Sequence, residues 1–231
     1  MMHCMPLNKI FLVGSSTFAL TTLSGESVAD MIGRLTAQNS ESFTKNALQV
    51  IDIPEQVICR MLQAEVLILH IGVMEFLPRL EKRIYPHLHV QSKNGFFYDI
   101  RFEPFPPLAW LLNIHNRVCF NVQLSMKLFR GKMDPNSLKN FVSRLTQEST
   151  SQFSRIIFIS SPPVNHPKSR EARIMTQSAL AEIVDIFDYV SIIDYTEMTY
   201  GLNHDKSGHL VPDHREQFAT RVAAAIQESE R

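Results

Sequence analysis

Five short apolar runs along the chain are typical of buried β-strands. They lie at residues 10–13, 48–53, 66–71, 154–161 and 189–194. Several of the segments between them carry apolar residues at helical spacing, as in residues 26–38, where Val28, Met31 and Leu35 fall on one face. Near-continuous apolar strands that alternate with helices indicate a mostly parallel sheet covered by helices on both faces.

This pattern predicts an α/β fold, a three-layer α/β/α sandwich with a mostly parallel, five-stranded sheet in one domain over residues 1–231. Residues 88–150 interrupt the pattern. The first part of this segment holds three prolines, many aromatic residues and the chain's single tryptophan, and it is too apolar for a solvated linker. We therefore predict an aromatic and proline-rich insertion that leads into helices, the last of them near residues 135–150. A final helix is expected at residues 215–228.

Composition argues against several classes of partner. The 23 lysine and arginine residues balance the 23 aspartate and glutamate residues, so neither nucleic acid nor an anionic membrane surface is an expected partner. Cys4, Cys59 and Cys119 are too far apart for a disulfide framework or a zinc site, and no apolar run approaches the roughly 20 residues of a membrane span. The apolar start is interrupted at residues 14–17 and does not resemble a signal peptide. We expect a cytoplasmic protein.

The side chains that could take part in catalysis follow the strands at their carboxyl ends, where ligands bind in open parallel sheets. They are Ser15, Ser16 and Thr17 after the first strand, residues 72–75 after the third, and Asp205, His209, Asp213 and His214 before the last helix. A hydroxyl group with a histidine and an acid nearby is what a serine nucleophile requires. The pattern alone leaves open which hydroxyl and which histidine would form the pair.

The order of these blocks resembles that of the SGNH (GDSL-like) hydrolases, compact α/β esterases and acyltransferases. The sequence Gly14-Ser15-Ser16 matches the Gly-Asp-Ser block of the family, and residues 72–75 match its Gly-x-Asn-Asp block. The resemblance spans nearly the whole chain in separated blocks. It implies an SGNH/flavodoxin-like fold with Ser16 as the nucleophile.

The family's terminal Asp-x-x-His block selects the base and the acid. The register of the last helix puts His209 at the position of the family's base, and His214 at the position of a usual glycine. Asp205 is the corresponding acid, although it lies one residue further from the histidine than the family's spacing, with Lys206 at the strict position. Asp213, beside His214, is the alternative acid.

The resemblance also implies substrate contacts and an oxyanion hole. In the family, the oxyanion is bound by the serine N–H, a glycine N–H after the second strand and the asparagine side chain. Here Met74 stands in place of that asparagine and the glycine is missing, so Asn46, another side chain or another residue's N–H would have to substitute. Loss of one such donor costs about 10²–10³ in turnover. The substrate-binding residues implied are Ser15, Asn46, Gly72, Glu75 and Arg79.

The function implied by the resemblance is a serine esterase or O-acyltransferase that acts on a small-molecule or glycan ester, most simply an O-acetyl group, without metal or cofactor. It requires Ser16 Oγ and a nitrogen of His209 to lie within about 3.5 Å. The alternative is a catalytically degenerate SGNH fold that binds a glycan or a protein in polysaccharide biosynthesis, which Met74 favours. In a third hypothesis, residues 88–107 form a homo-oligomer interface. His70 is predicted to be a hydrogen-bonded core histidine.

Overall fold

The fold is described by a computed structural model. It describes residues 9–36, 39–45, 48, 50, 53–70, 91–92, 100–101, 107–108, 110–111, 114–115, 118, 135–148, 153–160, 167–205 and 209–228.

The core of the fold is a five-stranded parallel sheet. The described strands are β1 (Lys9–Gly14), β2 (Asn39–Thr44), β3 (Val66–His70), β4 (Gln91–Ser92), β5 (Ile100–Arg101), β6 (Arg155–Ile159) and β7 (Val190–Ile193). The sheet has the order β2-β1-β3-β6-β7, with every pair parallel, while β4 and β5 form a separate antiparallel pair. Because β1 lies between β2 and β3, its last residue, Gly14, is aligned with Thr44 on one side and His70 on the other.

Helices cover both faces of this sheet. The described helices are α1 (Ser16–Ala19), α2 (Val28–Leu35), α3 (Glu55–Met61), α4 (Pro135–Glu148), α5 (Pro167–Ile186), α6 (Tyr195–Met198) and α7 (Pro212–Glu228). Alternate residues of β1 enter opposite cores: Phe11 and Val13 pack with α3, α4 and α5, whereas Ile10 and Leu12 pack with α1, α2 and α7. The alternation follows from the period of two along a strand. The three-layer α/β/α fold is therefore confirmed.

The second strand is not where the apolar pattern placed it. The prediction was residues 48–53, but β2 is formed by Asn39–Thr44, whose sequence NSESFT is mostly polar. As the edge strand of the sheet, β2 has only partly buried or exposed side chains, so it needs no apolar run. Leu48, Val50 and Ile53 are buried in the core from outside the sheet, which explains why they are apolar.

The remaining predicted elements agree with the structure to within a few residues. The last helix begins at Pro212, three residues before its predicted start, and α4 ends at Glu148. Most of residues 88–134 lie outside the described residues, so the aromatic insertion stays a prediction. Across the part of the chain that the structure describes, no helix has both the length and the apolar character needed to cross a membrane.

Candidate active site

Ser16 lies at the carboxyl edge of the sheet, directly after β1. The strand ends at Gly14, Ser15 is the N-cap residue of α1 in extended conformation, and Ser16 is the first residue of that helix. The side chain of Ser16 is partly buried rather than enclosed. The strand-to-helix turn therefore presents this hydroxyl at the edge where ligands bind in parallel sheets.

Gly14 makes the sharp turn after β1 possible. A Cβ atom at this position would lie 2.5 Å from Cδ2 of Phe18, far closer than van der Waals contact allows. Phe18 is fully buried and belongs to the core between the sheet and α2 and α7. The missing side chain at Gly14 thus lets α1 fold back onto the strand and keeps Ser16 close to the sheet edge.

His209 is held by a short antiparallel pairing that precedes α7. His204 and Leu210 form a β-bridge, and the Asp205 N–H donates to the carbonyl of His209 at 2.7 Å. The N–H of Val211 donates to the carbonyl of Asn203 at 3.1 Å on the other side of the bridge. The base candidate is therefore carried on backbone that is fixed on both sides, next to the fully buried Leu210.

The structure brings the two principal candidates together. Ser16 Oγ lies 3.0 Å from His209 Nε2, across 193 residues of sequence. Burial lowers the pKa of His209, the charge of Asp205 raises it, and Arg215 and His204 lower it further. The lowered pKa favours the neutral imidazole, the state in which Nε2 can accept the hydroxyl proton of Ser16.

Asp205 and Asp213, the two candidate acids, differ in their relation to His209. Asp205 Oδ1 accepts a hydrogen bond of 3.1 Å from the backbone N–H of His209, and its charge acts on the imidazole. Asp213 is exposed in the first turn of α7. Its neighbour His214 accepts a 2.6 Å hydrogen bond from the Asn203 N–H at Nδ1, so that ring supports the backbone before α7. Of the two carboxylates, Asp205 is the one that contacts His209 and whose charge raises the pKa of the imidazole.

The rate at which a fluorophosphonate labels the protein should decline at acid pH, and replacing Asp205 by asparagine should shift that decline to lower pH. The carboxylate raises the pKa of His209, so its removal lets the base stay neutral under more acidic conditions. The plateau rate should fall by less than about tenfold, because an exposed charge pair contributes about 1 kcal/mol or less. The measurement is the rate of reaction with a fluorophosphonate as a function of pH. Asp213→Asn is the control and should leave the pH dependence of the labelling rate unchanged. A shift of the acid-side decline to higher pH in Asp205→Asn would contradict the predicted effect of Asp205 on His209.

Arg215, which the sequence motifs did not single out, connects the two halves of the site. Its Nε donates to the carbonyl of Leu210 at 3.0 Å, and its Nη1 donates to the carbonyl of Thr21 at 2.6 Å. Leu210 follows His209 in the chain, and Thr21 lies just beyond the helix that begins with Ser16. One guanidinium group therefore ties both segments to the start of α7.

Ser15, predicted to contact substrate, is 3% exposed, and its hydroxyl is hydrogen-bonded to Nδ1 of His70 at 3.0 Å. His70 is a buried, hydrogen-bonded histidine, as predicted, and it lies at the end of β3. Burial, with a smaller contribution from the nearby His209, lowers the pKa of His70 to about 4. The contact between Ser15 and His70 could not be predicted from the sequence, because it depends on the alignment of β1 with β3.

Five residues named from the sequence lie outside the described residues: Asn46, Gly72, Met74, Glu75 and Arg79. Their roles in substrate binding and in the oxyanion hole stay predictions. Within the described ranges, no three His, Cys, Asp or Glu side chains are grouped so that they could hold a metal ion.

Comparison with known proteins gives structural neighbours only. No family model and no curated sequence matches the chain. A salicylyl-acyltransferase, SsfX3, from a tetracycline biosynthetic pathway superposes with a TM-score of 0.53 at 12% identity, over 96% of this chain and 56% of that one. A G-D-S-L family protein from Desulfitobacterium hafniense DCB-2 gives 0.53 at 10% identity, over 94% and 98% of the two chains. A family two carbohydrate esterase from Clostridium thermocellum, solved with cellohexaose, gives 0.52 at 10% identity, over 96% and 64%.

These likenesses concern architecture, since the identities are low and the chain spans little more than half of the acyltransferase's length. The neighbour of similar length is matched from end to end, over 98% of its chain. The parallel five-stranded sheet and the position of Ser16 after β1 agree with the fold that the resemblance implied. The chain therefore has the fold of the SGNH (GDSL-like) hydrolases.

Proposed function

We propose that the protein is a serine esterase or O-acyltransferase that acts on an acyl ester, most simply an O-acetyl group, of a sugar or glycan. The observation that carries the proposal is the 3.0 Å contact between Ser16 Oγ and His209 Nε2 at the carboxyl edge of a parallel sheet. A hydroxyl is a weak nucleophile at neutral pH and needs an adjacent general base. The 3.0 Å distance of His209 from Ser16 supports this role, and its lowered pKa favours the neutral state that a base needs.

The chemistry proceeds through an acyl-serine. Ser16 Oγ attacks the acyl carbonyl carbon while its proton passes to Nε2 of His209. The bond between that carbon and the ester oxygen then breaks, and the leaving oxygen takes the proton from His209. Water or an acceptor hydroxyl attacks the acyl-serine, with its proton passing through His209 to Ser16 Oγ. The carboxylate of Asp205 stabilises the imidazolium that forms in each half-reaction.

The oxyanion needs hydrogen-bond donors beside the nucleophile. As the first residue of α1, Ser16 has a backbone N–H without an intrahelical acceptor, which makes it available to a developing negative charge. The sequence supplies Asn46 as a second donor, whereas Met74 has no N–H or O–H in its side chain. We propose an oxyanion hole with fewer donors than the family's, and hence slow turnover.

The substrate class is supported by two independent indications. Residues 72–79 resemble a variant block found in proteins of bacterial surface-glycan synthesis, with Arg79 available for an anionic group. One structural neighbour is a carbohydrate esterase.

The widely separated cysteines support a cytoplasmic location, where they would stay reduced.

Labelling with a fluorophosphonate tests the proposal, because the probe reacts with an activated serine whatever the natural substrate. The wild type should be labelled at Ser16, with loss of fluoride, and Ser16→Ala should not be labelled at all. Ser24→Ala removes an exposed hydroxyl from the same segment and should be labelled like the wild type. Equal labelling of wild type and Ser16→Ala would overturn the assignment of the nucleophile.

The second candidate is a binding module without turnover, and the specific observation behind it is Met74 at the position of the family's asparagine. A wild type that does not react with the probe supports this candidate. It is supported further if Ser16→Ala and His209→Ala restore function in cells as well as the wild type does.

A further inference from the structure

We infer that His70 is a positioning residue for the proposed nucleophile, and that it acts through Ser15. This inference rests on the proposed function, because it explains how the hydroxyl of Ser16 is held against His209. It concerns a histidine that the proton relay does not use.

The contact joins the neighbouring ends of two central strands. Gly14 and His70 are aligned across β1 and β3, so the next residue of the turn, Ser15, lies beside the histidine. Nδ1 of His70 and Oγ of Ser15 are 3.0 Å apart, and both residues are almost fully buried, at 4% and 3% exposed. A buried hydrogen bond of this length holds the residue that immediately precedes Ser16.

The hydrogen bond replaces a more ordinary use of Ser15. A serine at a helix N-cap usually accepts a hydrogen bond from a backbone N–H of the first turn, which stabilises the helix by about 1 kcal/mol. Ser15 occupies the N-cap position of α1, yet its side chain makes no such bond. The hydroxyl is directed to β3 instead, so it fixes the turn to the sheet rather than to its own helix.

His70 itself is held in one orientation. Its ring stacks on Phe18 with ring centroids 5.2 Å apart, and it packs edge-on against Tyr195 at 6.1 Å. Among the described residues, none offers a hydrogen-bond partner to its Nε2 atom. The packed rings therefore orient Nδ1, and Ser15 is the polar group that it positions.

The consequence for the reaction is geometric. Ser16 follows Ser15 directly, and its hydroxyl must stay near 3.0 Å from His209 Nε2 for proton transfer. A misplacement of about 1 Å at a reacting atom can cost about 10² in rate. A turn that is anchored through Ser15 limits such displacement.

A double-mutant cycle tests the inference, with the rate of fluorophosphonate labelling as readout. Ser15→Ala and His70→Phe each remove the hydrogen bond, and phenylalanine keeps a ring between Phe18 and Tyr195. Each single variant should react about tenfold more slowly, and the double variant should be no slower than the slower single one, because both remove one interaction. His70→Asn, whose amide can occupy the position of Nδ1, should recover most of the rate.

A purely structural role gives a different result. In that case the variants would lose stability in urea but would react at the wild-type rate under conditions in which all of them are folded. Single variants that react like the wild type, or effects that multiply in the double variant, would overturn the inference.

A second measurement separates this inference from the proposed function. If the wild type does not react, the proposed function fails, and crystal structures of the wild type and Ser15→Ala still decide the positioning role. We expect Ser16 Oγ to move by about 0.5 Å or more from its place beside His209 Nε2. An unchanged distance in Ser15→Ala would overturn the inference even in a reactive enzyme.

Discussion

Replacing His209 by glutamine is expected to slow the reaction of Ser16 with a fluorophosphonate by about 10²–10⁴-fold. In the proposed mechanism Nε2 of His209, which lies 3.0 Å from Ser16 Oγ, takes the hydroxyl proton, and an amide cannot accept it. Stability should change little, because the ring is partly exposed and the segment is held by backbone hydrogen bonds of Asp205 and Val211. The labelling rate and the free energy of unfolding in urea are measured on the same preparation.

His214→Gln is the matched control for this experiment. Its ring belongs to the same part of the chain, but it accepts a hydrogen bond from the Asn203 N–H and is not bonded to Ser16. Loss of that bond should cost about 1 kcal/mol of stability and leave the labelling rate unchanged. A rate loss in His214→Gln as large as in His209→Gln would show that the backbone before α7, rather than the imidazole of His209, is the requirement.

Acidification should destabilise the wild type through His70. In the folded protein burial lowers the pKa of His70 to about 4, whereas an unfolded histidine titrates near pH 6.5. Between these values the unfolded chain binds a proton that the folded chain does not, so stability is fully present above about pH 6.5 and is lost as the pH falls toward 4. The expected contribution is about 3 kcal/mol over this interval.

The comparison with His70→Phe isolates this contribution. Phenylalanine cannot bind a proton, so the variant should lose less stability than the wild type over the same pH interval, although it starts lower because Ser15 loses its partner. Urea denaturation at several pH values gives the free energy of unfolding of each protein as a function of pH. Contributions from the other titrating groups are the same in both proteins and cancel in the comparison. Parallel curves for the two proteins would show that His70 does not remain neutral in the fold.

How far the sequence predicts the fold depends on where each strand lies in the sheet. The strands β1, β3 and β6 are buried on both faces, so they appear as continuous apolar runs, which periodicity detects. The edge strand β2 carries a polar sequence, and the apolar residues after it pack from outside the sheet. A strand that needs no burial leaves no apolar signal, so its position could not be predicted.

The site was predictable to the extent that motifs determine it. The turn chemistry after β1 left several hydroxyls open, and the resemblance to the SGNH family selected Ser16 and, with the register of the last helix, His209. The structure brings these two side chains to 3.0 Å. The Ser15 contact with His70 could not be predicted, because it depends on which residues of β1 and β3 are aligned. Arg215 was missed for a related reason, since it binds two backbone carbonyls that no side-chain pattern marks.

The double contact of Arg215 bears on how the molecule opens. Its guanidinium group binds the carbonyls of Thr21 and Leu210, and it stands at the beginning of α7. Partial opening that detaches α7 from the sheet must break the long-range contact with Thr21, whereas the contact with Leu210 can move with the helix. The backbone from Leu210 into α7 should therefore exchange its amide hydrogens as one cooperative unit. If that unit opens while the central strands stay paired, Ser16 and His209 are separated, so we expect labelling of Ser16 by a fluorophosphonate to be lost at a lower urea concentration than the sheet.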